Sequence, residues 1–199
     1  MKMNLKLYAI ALMAIAGVVS GLQADVKVDQ QAPEFTLKDS KGVTHSLSDY
    51  KDKYVVLEWV NYDCPFVRKH YDSGNMQQLQ KDYAGKVVWF SMNSSAKGNQ
   101  GNSSVTEINE QIQKNRAVIN AYLIDENGKV GRRYGAKTTP HMFVIDPKGT
   151  LIYAGAIDNN PSLSEAKATN YVRAALDASF AGESVGTKQT KSYGCSVKY

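Results

Sequence analysis

The chain has 199 residues, of which 43% are hydrophobic and 22% are charged, and its formal net charge at pH 7 is +5. This length suits one domain with a hydrophobic core, and the composition is that of an ordinary soluble globular protein. The excess of basic residues is small and spread along the chain, so we expect no nucleic-acid partner.

The first 24 residues have the order of a secretory signal peptide. Lys2 and Lys6 precede an uncharged, mostly apolar run over 7–19, and small residues follow up to Ala24. This apolar run is shorter than the roughly 20 residues needed to cross a bilayer. We therefore predict cleavage after Ala24 and export to the periplasm or the medium, without stable membrane insertion. An uncleaved membrane anchor is the alternative.

Strand and helix patterns alternate along the rest of the chain. Runs of β-branched and aromatic residues predict strands over 35–37, 45–47, 54–60, 87–92, 121–124, 142–145 and 150–154. Apolar periodicity and capping signals predict three helices. The first covers 64–83, with Gly74 as a weak point, the second starts at Ser104, and the third covers 165–180. This order predicts an α/β fold with a central mixed sheet flanked by helices on both faces. We assign one domain to 25–181 and a polar tail to 182–199.

Cys64 stands where a buried strand is followed by a helix that begins at Pro65. The free N–H groups and partial positive charge of a helix N-terminus stabilise a thiolate, and Arg68, Lys69 and His70 follow within two turns. A cysteine in such a position has a pKa below the usual value of about 8.5. We therefore predict that Cys64 is a reactive thiol. A buried structural cysteine is the alternative.

Glu58 interrupts the otherwise apolar strand that precedes Cys64. Burial of a carboxylate is costly unless the group is paired or neutral, so the pKa of Glu58 should rise. Glu58 would then exchange protons with the Cys64 thiol, directly or through water. An equally weighted alternative is that Glu58 reaches a polar edge or pairs with a lysine.

Thr139 and Pro140 directly precede the predicted strand over 142–145. Proline at this place indicates a special backbone, such as a cis peptide bond. An ordinary trans proline in a loop is the alternative.

Nothing in the sequence indicates a cofactor. The three histidines are dispersed and the two cysteines lack ligand spacing, so we expect no metal site. No glycine-rich loop follows a strand in the way that a nucleotide or flavin site requires.

Cys64, Glu58 and the Thr139-Pro140 pair together resemble the thioredoxin superfamily. In that superfamily a reactive cysteine at a helix start packs against a cis-proline loop, and a buried acid lies on the preceding strand. The wider chain, over about 31–180, is similar to the redoxin branch, which includes peroxiredoxins and exported thiol-disulfide oxidoreductases. The similar stretches are Ala32–Leu37, Gly42–Leu47 and Thr139–Asp146 with Gly149. The resemblance implies a thioredoxin-like fold in which Thr139 and Pro140 position the substrate.

Two departures from the family patterns affect the expected chemistry. Thioredoxins carry a second cysteine three residues after the first, and this chain has Val67 there. Peroxiredoxins carry a proline and a threonine where Leu57 and Asn61 stand, and that threonine acts with an arginine to activate peroxide. The sequence is therefore most similar to the peroxiredoxin-like group that keeps only the first motif cysteine.

We interpret the chain as an exported thiol-dependent oxidoreductase of peroxiredoxin-like type, with Cys64 as the attacking thiolate. An intermediate on Cys64 needs another thiol to resolve it, and Cys195 in the tail is the only other cysteine on the chain. The implied partners are a peroxide or disulfide substrate and an external thiol reductant. The alternative is a non-catalytic binding or chaperone-like module with a structural Cys64–Cys195 disulfide.

Overall fold

The structure is a computed structural model that describes residues 26–164 and 168–199. Its centre is a seven-stranded sheet of β1 (Thr36–Asp39), β2 (Thr44–Ser46), β3 (Tyr54–Trp59), β4 (Val87–Asn93), β5 (Ala121–Ile124), β7 (His141–Ile145) and β8 (Leu151–Gly155). The order of the strands across this sheet is β2-β1-β5-β4-β3-β7-β8. A separate ribbon pairs β6 (Thr138–Thr139) with β9 (Cys195–Ser196). Strand β4 runs parallel to both neighbours and the other pairs are antiparallel, so the predicted mixed sheet is confirmed.

Helices cover both faces of the sheet, as predicted. They are α1 (Pro65–Asp72), α2 (Asn75–Asp82), α3 (Val105–Lys114), α4 (Lys129–Tyr134), α5 (Tyr171–Phe180) and a 3-10 helix (Leu47–Tyr50). The side chains of β3 alternate between two apolar clusters, with Val56 on one face and Val55 and Leu57 on the other. The Val56 face is covered by α1, α2, α3 and α5, and the opposite face by α4 and the 3-10 helix.

Several helix boundaries differ from the prediction. The predicted helix over 64–83 is two helices, because Gly74 adopts a left-handed conformation (φ 78°) and ends the first. The last helix begins at Tyr171, where the Asn170 side chain accepts a hydrogen bond from the Arg173 N–H. The sequence predicted that this helix starts at residue 165. Residues 165–167 lie outside the described part of the chain, and residues 168–170 are not helical. The short α4 and the 3-10 helix were not predicted, since neither is long enough to show a helical apolar period.

The tail over 182–199 runs back across the domain. The Ala154 N–H donates to the Lys188 carbonyl (3.0 Å), and the Thr190 N–H donates to the Ala154 carbonyl (3.1 Å). Gly155 permits this approach, because a Cβ at that residue would lie 2.2 Å from the Thr190 hydroxyl oxygen. The chain then forms β9 and ends with the Tyr199 hydroxyl donating to the Ala136 carbonyl (2.8 Å).

The predicted signal peptide lies outside the described residues. Within the described part of the chain, no helix combines the length and the apolar character needed to cross a membrane.

Candidate active site

Cys64 is the N-cap residue of α1 and lies just past the end of the central strand β3. Its N–H donates to the Asn61 carbonyl (2.9 Å), and its own carbonyl accepts from the N–H groups of Val67 (3.0 Å) and Arg68 (2.9 Å). These bonds fix the turn between strand and helix, with Pro65 at the first helical position as predicted. The Cys64 side chain is completely buried.

The Thr139-Pro140 peptide bond is cis, as the sequence indicated. Thr139 is buried, and its carbonyl oxygen accepts a hydrogen bond from the Cys64 thiol at 3.1 Å. The start of α1, which carries Cys64, therefore lies against Thr139, the residue before Pro140.

Cys195 lies on the strand that pairs with this segment. In the antiparallel register of the ribbon, Cys195 is opposite Thr139 and Ser196 is opposite Thr138. Both cysteines are free thiols. The thiol and the backbone N–H of Cys195 both act on the Cys64 sulfur to lower its pKa. The structure thus brings together the two cysteines, which are far apart in the sequence.

The two thiols differ in their readiness to ionise. Burial alone would raise the pKa of Cys64, but interactions with the Cys195 thiol, with the Thr139 side chain and with the N–H groups of Val67 and Cys195 outweigh it, so this pKa is lowered. Burial, and then the interaction with Cys64, raises the pKa of Cys195. Cys64 is therefore the thiol of the pair that ionises first.

The stabilisation of the thiolate does not come from the basic residues that follow Cys64. The Lys69 ammonium donates to the carbonyls of Asn160 (2.6 Å) and Ser162 (2.8 Å). Burial lowers the pKa of His70 to about 4, so His70 is neutral at pH 7. Arg68 is exposed. Short-range hydrogen bonds, and not the charges of these three residues, therefore stabilise the Cys64 thiolate.

Glu58 is completely buried on the face of β3 covered by α1. Its carboxylate accepts hydrogen bonds from Trp89 Nε1 (2.8 Å), the Tyr71 hydroxyl (3.0 Å) and Gln80 Nε2 (3.3 Å). Burial raises the pKa of Glu58 to about 7, because three neutral donors offset only part of the desolvation. The alternative of a polar edge or a lysine partner is therefore wrong. Within the described residues no hydrogen bond links Glu58 to Cys64, and proton exchange between them stays a prediction.

Tyr193 is a residue of this site that sequence reasoning did not assign to it. Its hydroxyl donates to Asp158 Oδ1 and is 3.0 Å from Nε2 of the buried His70. The aromatic character of the tail was visible in the sequence, but no local pattern predicts which distant side chains it contacts. No group of His, Cys, Asp and Glu side chains in the described part of the chain could hold a metal ion.

Replacement of Glu58 by glutamine should change the pH dependence of stability. The folded state keeps a proton on Glu58 up to about pH 7, whereas the unfolded chain loses it near 4.5. The free energy of unfolding of the wild type therefore falls as pH rises through this window, by up to about 3 kcal/mol relative to Glu58→Gln. Urea unfolding of both proteins between pH 4 and 8 measures this difference.

The exposed Glu126 supplies a control for that experiment, since Glu126→Gln should keep the wild-type pH profile. Parallel profiles for wild type and Glu58→Gln would show that Glu58 does not ionise with a raised pKa.

A side chain at position 194 should separate the two cysteines. Gly194 has a φ of 128°, and a Cβ there would lie 2.1 Å from the Thr139 carbonyl oxygen. Gly194→Ala should therefore displace Cys195 and lower the equilibrium constant for the Cys64–Cys195 disulfide against glutathione by at least about tenfold. Gly186→Ala is the matched control, because a Cβ at Gly186 meets no atom within 4 Å. Equal constants for the two variants would contradict this close approach.

Comparison with known proteins places these features in a family. The model of the AhpC/TSA family matches residues 28–154. The Thioredoxin-like protein YneN of Bacillus subtilis (strain 168) is 28% identical over 135 residues, which are 65% of this chain and 71% of that protein. A solved structure of an uncharacterized conserved protein from Geobacillus kaustophilus has a TM-score of 0.78 and 29% identity, and the match covers 87% of this chain and 92% of that one.

A more distant likeness concerns the fold alone. The thioredoxin domain of a thiol-disulfide oxidoreductase from Bacteroides vulgatus has a TM-score of 0.52 at 18% identity, over 65% of this chain and 89% of that domain. The match to the family model spans well over half of the 199 residues. The chain therefore belongs to the AhpC/TSA family, in the redoxin branch of the thioredoxin superfamily.

Proposed function

We propose that this protein is an exported thiol-disulfide oxidoreductase in which Cys64 attacks the substrate and Cys195 resolves the intermediate. The observation that carries the proposal is the position of Cys195, which lies opposite Thr139 in the ribbon, while the carbonyl of the same Thr139 accepts a hydrogen bond from the Cys64 thiol. Hydrogen bonds to that sulfur outweigh burial and lower the pKa of Cys64, which supports its role as the nucleophile. Membership of the redoxin branch is consistent with this chemistry.

The reaction proceeds by two thiol-disulfide exchanges. The Cys64 thiolate attacks one sulfur of a substrate disulfide, the substrate S–S bond breaks, and the other substrate sulfur leaves as a thiolate that takes up a proton. Cys195 then loses its proton and attacks the Cys64 sulfur, which forms the Cys64–Cys195 disulfide and releases the second substrate thiol. The substrate gains two electrons, and an external dithiol reductant restores them to the protein. Thr139 and Pro140 line the approach to Cys64 and position the substrate.

The surroundings of the Cys64 sulfur favour a disulfide over a peroxide as substrate. The threonine that peroxiredoxins use to activate peroxide is replaced by Asn61, whose side-chain oxygen accepts from the Asp63 N–H (2.9 Å). Within the described residues no arginine hydrogen-bonds to the Cys64 sulfur. Consumption of peroxide without reaction with disulfides would instead favour a peroxidase.

A second candidate is a non-catalytic binding or chaperone-like module with a structural Cys64–Cys195 disulfide. The complete burial of Cys64 favours it, since a thiol without access to solvent meets no external substrate. Such a bridge closes a loop of about 130 residues and would stabilise the fold by roughly 4 to 5 kcal/mol in the chain-entropy model. A reduction potential below about −300 mV would favour this candidate over a catalytic pair.

Single cysteine substitutions should separate the two exchange steps. With a disulfide substrate and a dithiol reductant, Cys64→Ser should lower turnover by on the order of a hundredfold or more, because it lacks the nucleophile. Cys195→Ser, reduced and then mixed with the disulfide substrate without the dithiol reductant, should perform the first exchange and accumulate one equivalent of mixed disulfide on Cys64, which mass spectrometry detects. Ser196→Ala, a change of the next side chain, should turn over as the wild type does. Wild-type turnover by Cys64→Ser would refute the proposed function.

The proposed export rests on the order of charged, apolar and small residues over 1–24. Expression of the full chain in a bacterium should yield a periplasmic protein that begins at Asp25, as read by intact mass. Lys2→Glu with Lys6→Glu should reduce export, because the positive n-region is lost. A cytoplasmic full-length protein would contradict export.

A further inference from the structure

A half-buried chain of hydrogen bonds converges on Tyr193, two residues before Cys195. The Asn75 side-chain amide donates to His70 Nδ1 (2.9 Å), so the neutral imidazole carries its hydrogen on Nε2. His70 Nε2 then donates to the Tyr193 hydroxyl oxygen (3.0 Å), and that hydroxyl donates to Asp158 Oδ1. His70 and Asp158 are both buried. Both ring nitrogens of His70 and the Tyr193 hydroxyl have partners along this chain, which gives the Tyr193 hydroxyl one defined position.

The ring of Tyr193 is held as well as its hydroxyl. The Phe66 ring packs edge-on against it at a centroid distance of 6.0 Å. The Lys69 ammonium lies 5.2 Å from the ring centroid and is itself fixed by two carbonyl oxygens. Phe66, Lys69 and His70 all belong to α1, the helix that Cys64 caps. The contacts of Tyr193 therefore tie Cys195 to the same helix that carries Cys64.

We propose that Tyr193 is a positioning residue that holds Cys195 against Cys64 and keeps the segment 193–196 over the Cys64 thiol. The positioning of a resolving cysteine rests on the proposed function, whereas the covering of Cys64 does not. Only Gly194 stands between Tyr193 and Cys195, and it packs against the Thr139 carbonyl. Since a residue spans at most about 3.6 Å, a fixed Tyr193 leaves Cys195 little freedom to move.

The other side of Cys195 is held independently. The Val197 N–H donates to the Lys137 carbonyl (3.0 Å), and the Ala96 N–H donates to the Lys198 carbonyl (2.7 Å). Loss of the Tyr193 hydrogen bonds therefore leaves the chain bound at 197–199 and at Thr190, and loosens the stretch between Thr190 and Cys195. Cys64 is completely buried, and segment 193–196 lies beside the Thr139 carbonyl that its thiol contacts, so we infer that movement of this segment opens a path from solvent to the sulfur. The Tyr193 hydroxyl thus controls both the access to Cys64 and the return of Cys195.

Tyr193→Phe tests the proposal, because it keeps the ring and removes only the hydroxyl. The fully reduced protein is treated with iodoacetamide, and peptide mass spectrometry follows the alkylation of Cys64 and Cys195 separately. We expect Cys64 to react on the order of tenfold faster than in the wild type, since a hydrogen bond to a buried carboxylate is lost. We also expect the equilibrium constant for the Cys64–Cys195 disulfide against glutathione to fall by a similar factor.

Tyr54→Phe is the matched control. It removes a tyrosine hydroxyl that bonds to Ser179 Oγ (2.9 Å), at the start of β3 and away from Cys64. It therefore reports whether a general loss of stability exposes Cys64. If Tyr193→Phe and Tyr54→Phe give the same alkylation rate, the proposal is overturned. Should Tyr193→Phe not fold, Asp158→Asn weakens the same hydrogen bond, and an unchanged Cys64 rate in that variant overturns the proposal too.

The outcome distinguishes this inference from the proposed function. Faster alkylation of Cys64 in Tyr193→Phe, in a protein whose wild type shows no turnover with disulfides, would support the covering role and refute the proposed oxidoreductase. Normal wild-type turnover with no effect of Tyr193→Phe on either measurement would leave the oxidoreductase standing and refute the positioning role.

Discussion

The pairing of Thr139 with Cys195 is the contact on which the arrangement of this site depends. The Thr139 carbonyl accepts from the Cys64 thiol, and the same residue lies opposite Cys195 in the ribbon. One buried residue therefore sets the relative positions of both sulfur atoms. Thr139 is followed through Pro140 by β7, which pairs with the central strand β3, so the rigid centre of the sheet is the common reference for both thiols.

Burial raises the pKa of both ionisable groups near this centre, and their hydrogen-bond partners decide the direction of the net shift. Cys64 receives enough donors to lower its pKa in spite of burial, whereas the pKa of Glu58 stays raised with three neutral donors. Both groups lie on the face of the sheet that α1 covers. The fold thus keeps Cys64, whose pKa is lowered, and Glu58, whose pKa is raised, within one apolar cluster, and no charged side chain among residues 26–164 and 168–199 forms an ion pair with either.

The parts of this structure that local chemistry determines were predictable from the sequence. The buried strand before Cys64, the helix start at Pro65, the cap at Ser104 and the cis bond before Pro140 each depend on a few neighbouring residues. The break at Gly74 was predicted only as a weak point, because some helices continue through a glycine and others end at one. The course of the tail depends on contacts between residues distant in sequence, and polar composition gives no information about them.

The tail also has a consequence for the order in which the site is completed. The residues that cover Cys64 emerge about 130 residues after it during synthesis, whereas β3, α1 and the cis-proline loop are all made earlier. A domain generally folds as a unit, and the docking of the tail completes that unit here. Until the segment that carries Cys195 docks, Cys64 is an uncovered thiol with no resolving partner. Cys64 is therefore most vulnerable to irreversible oxidation while that segment is undocked.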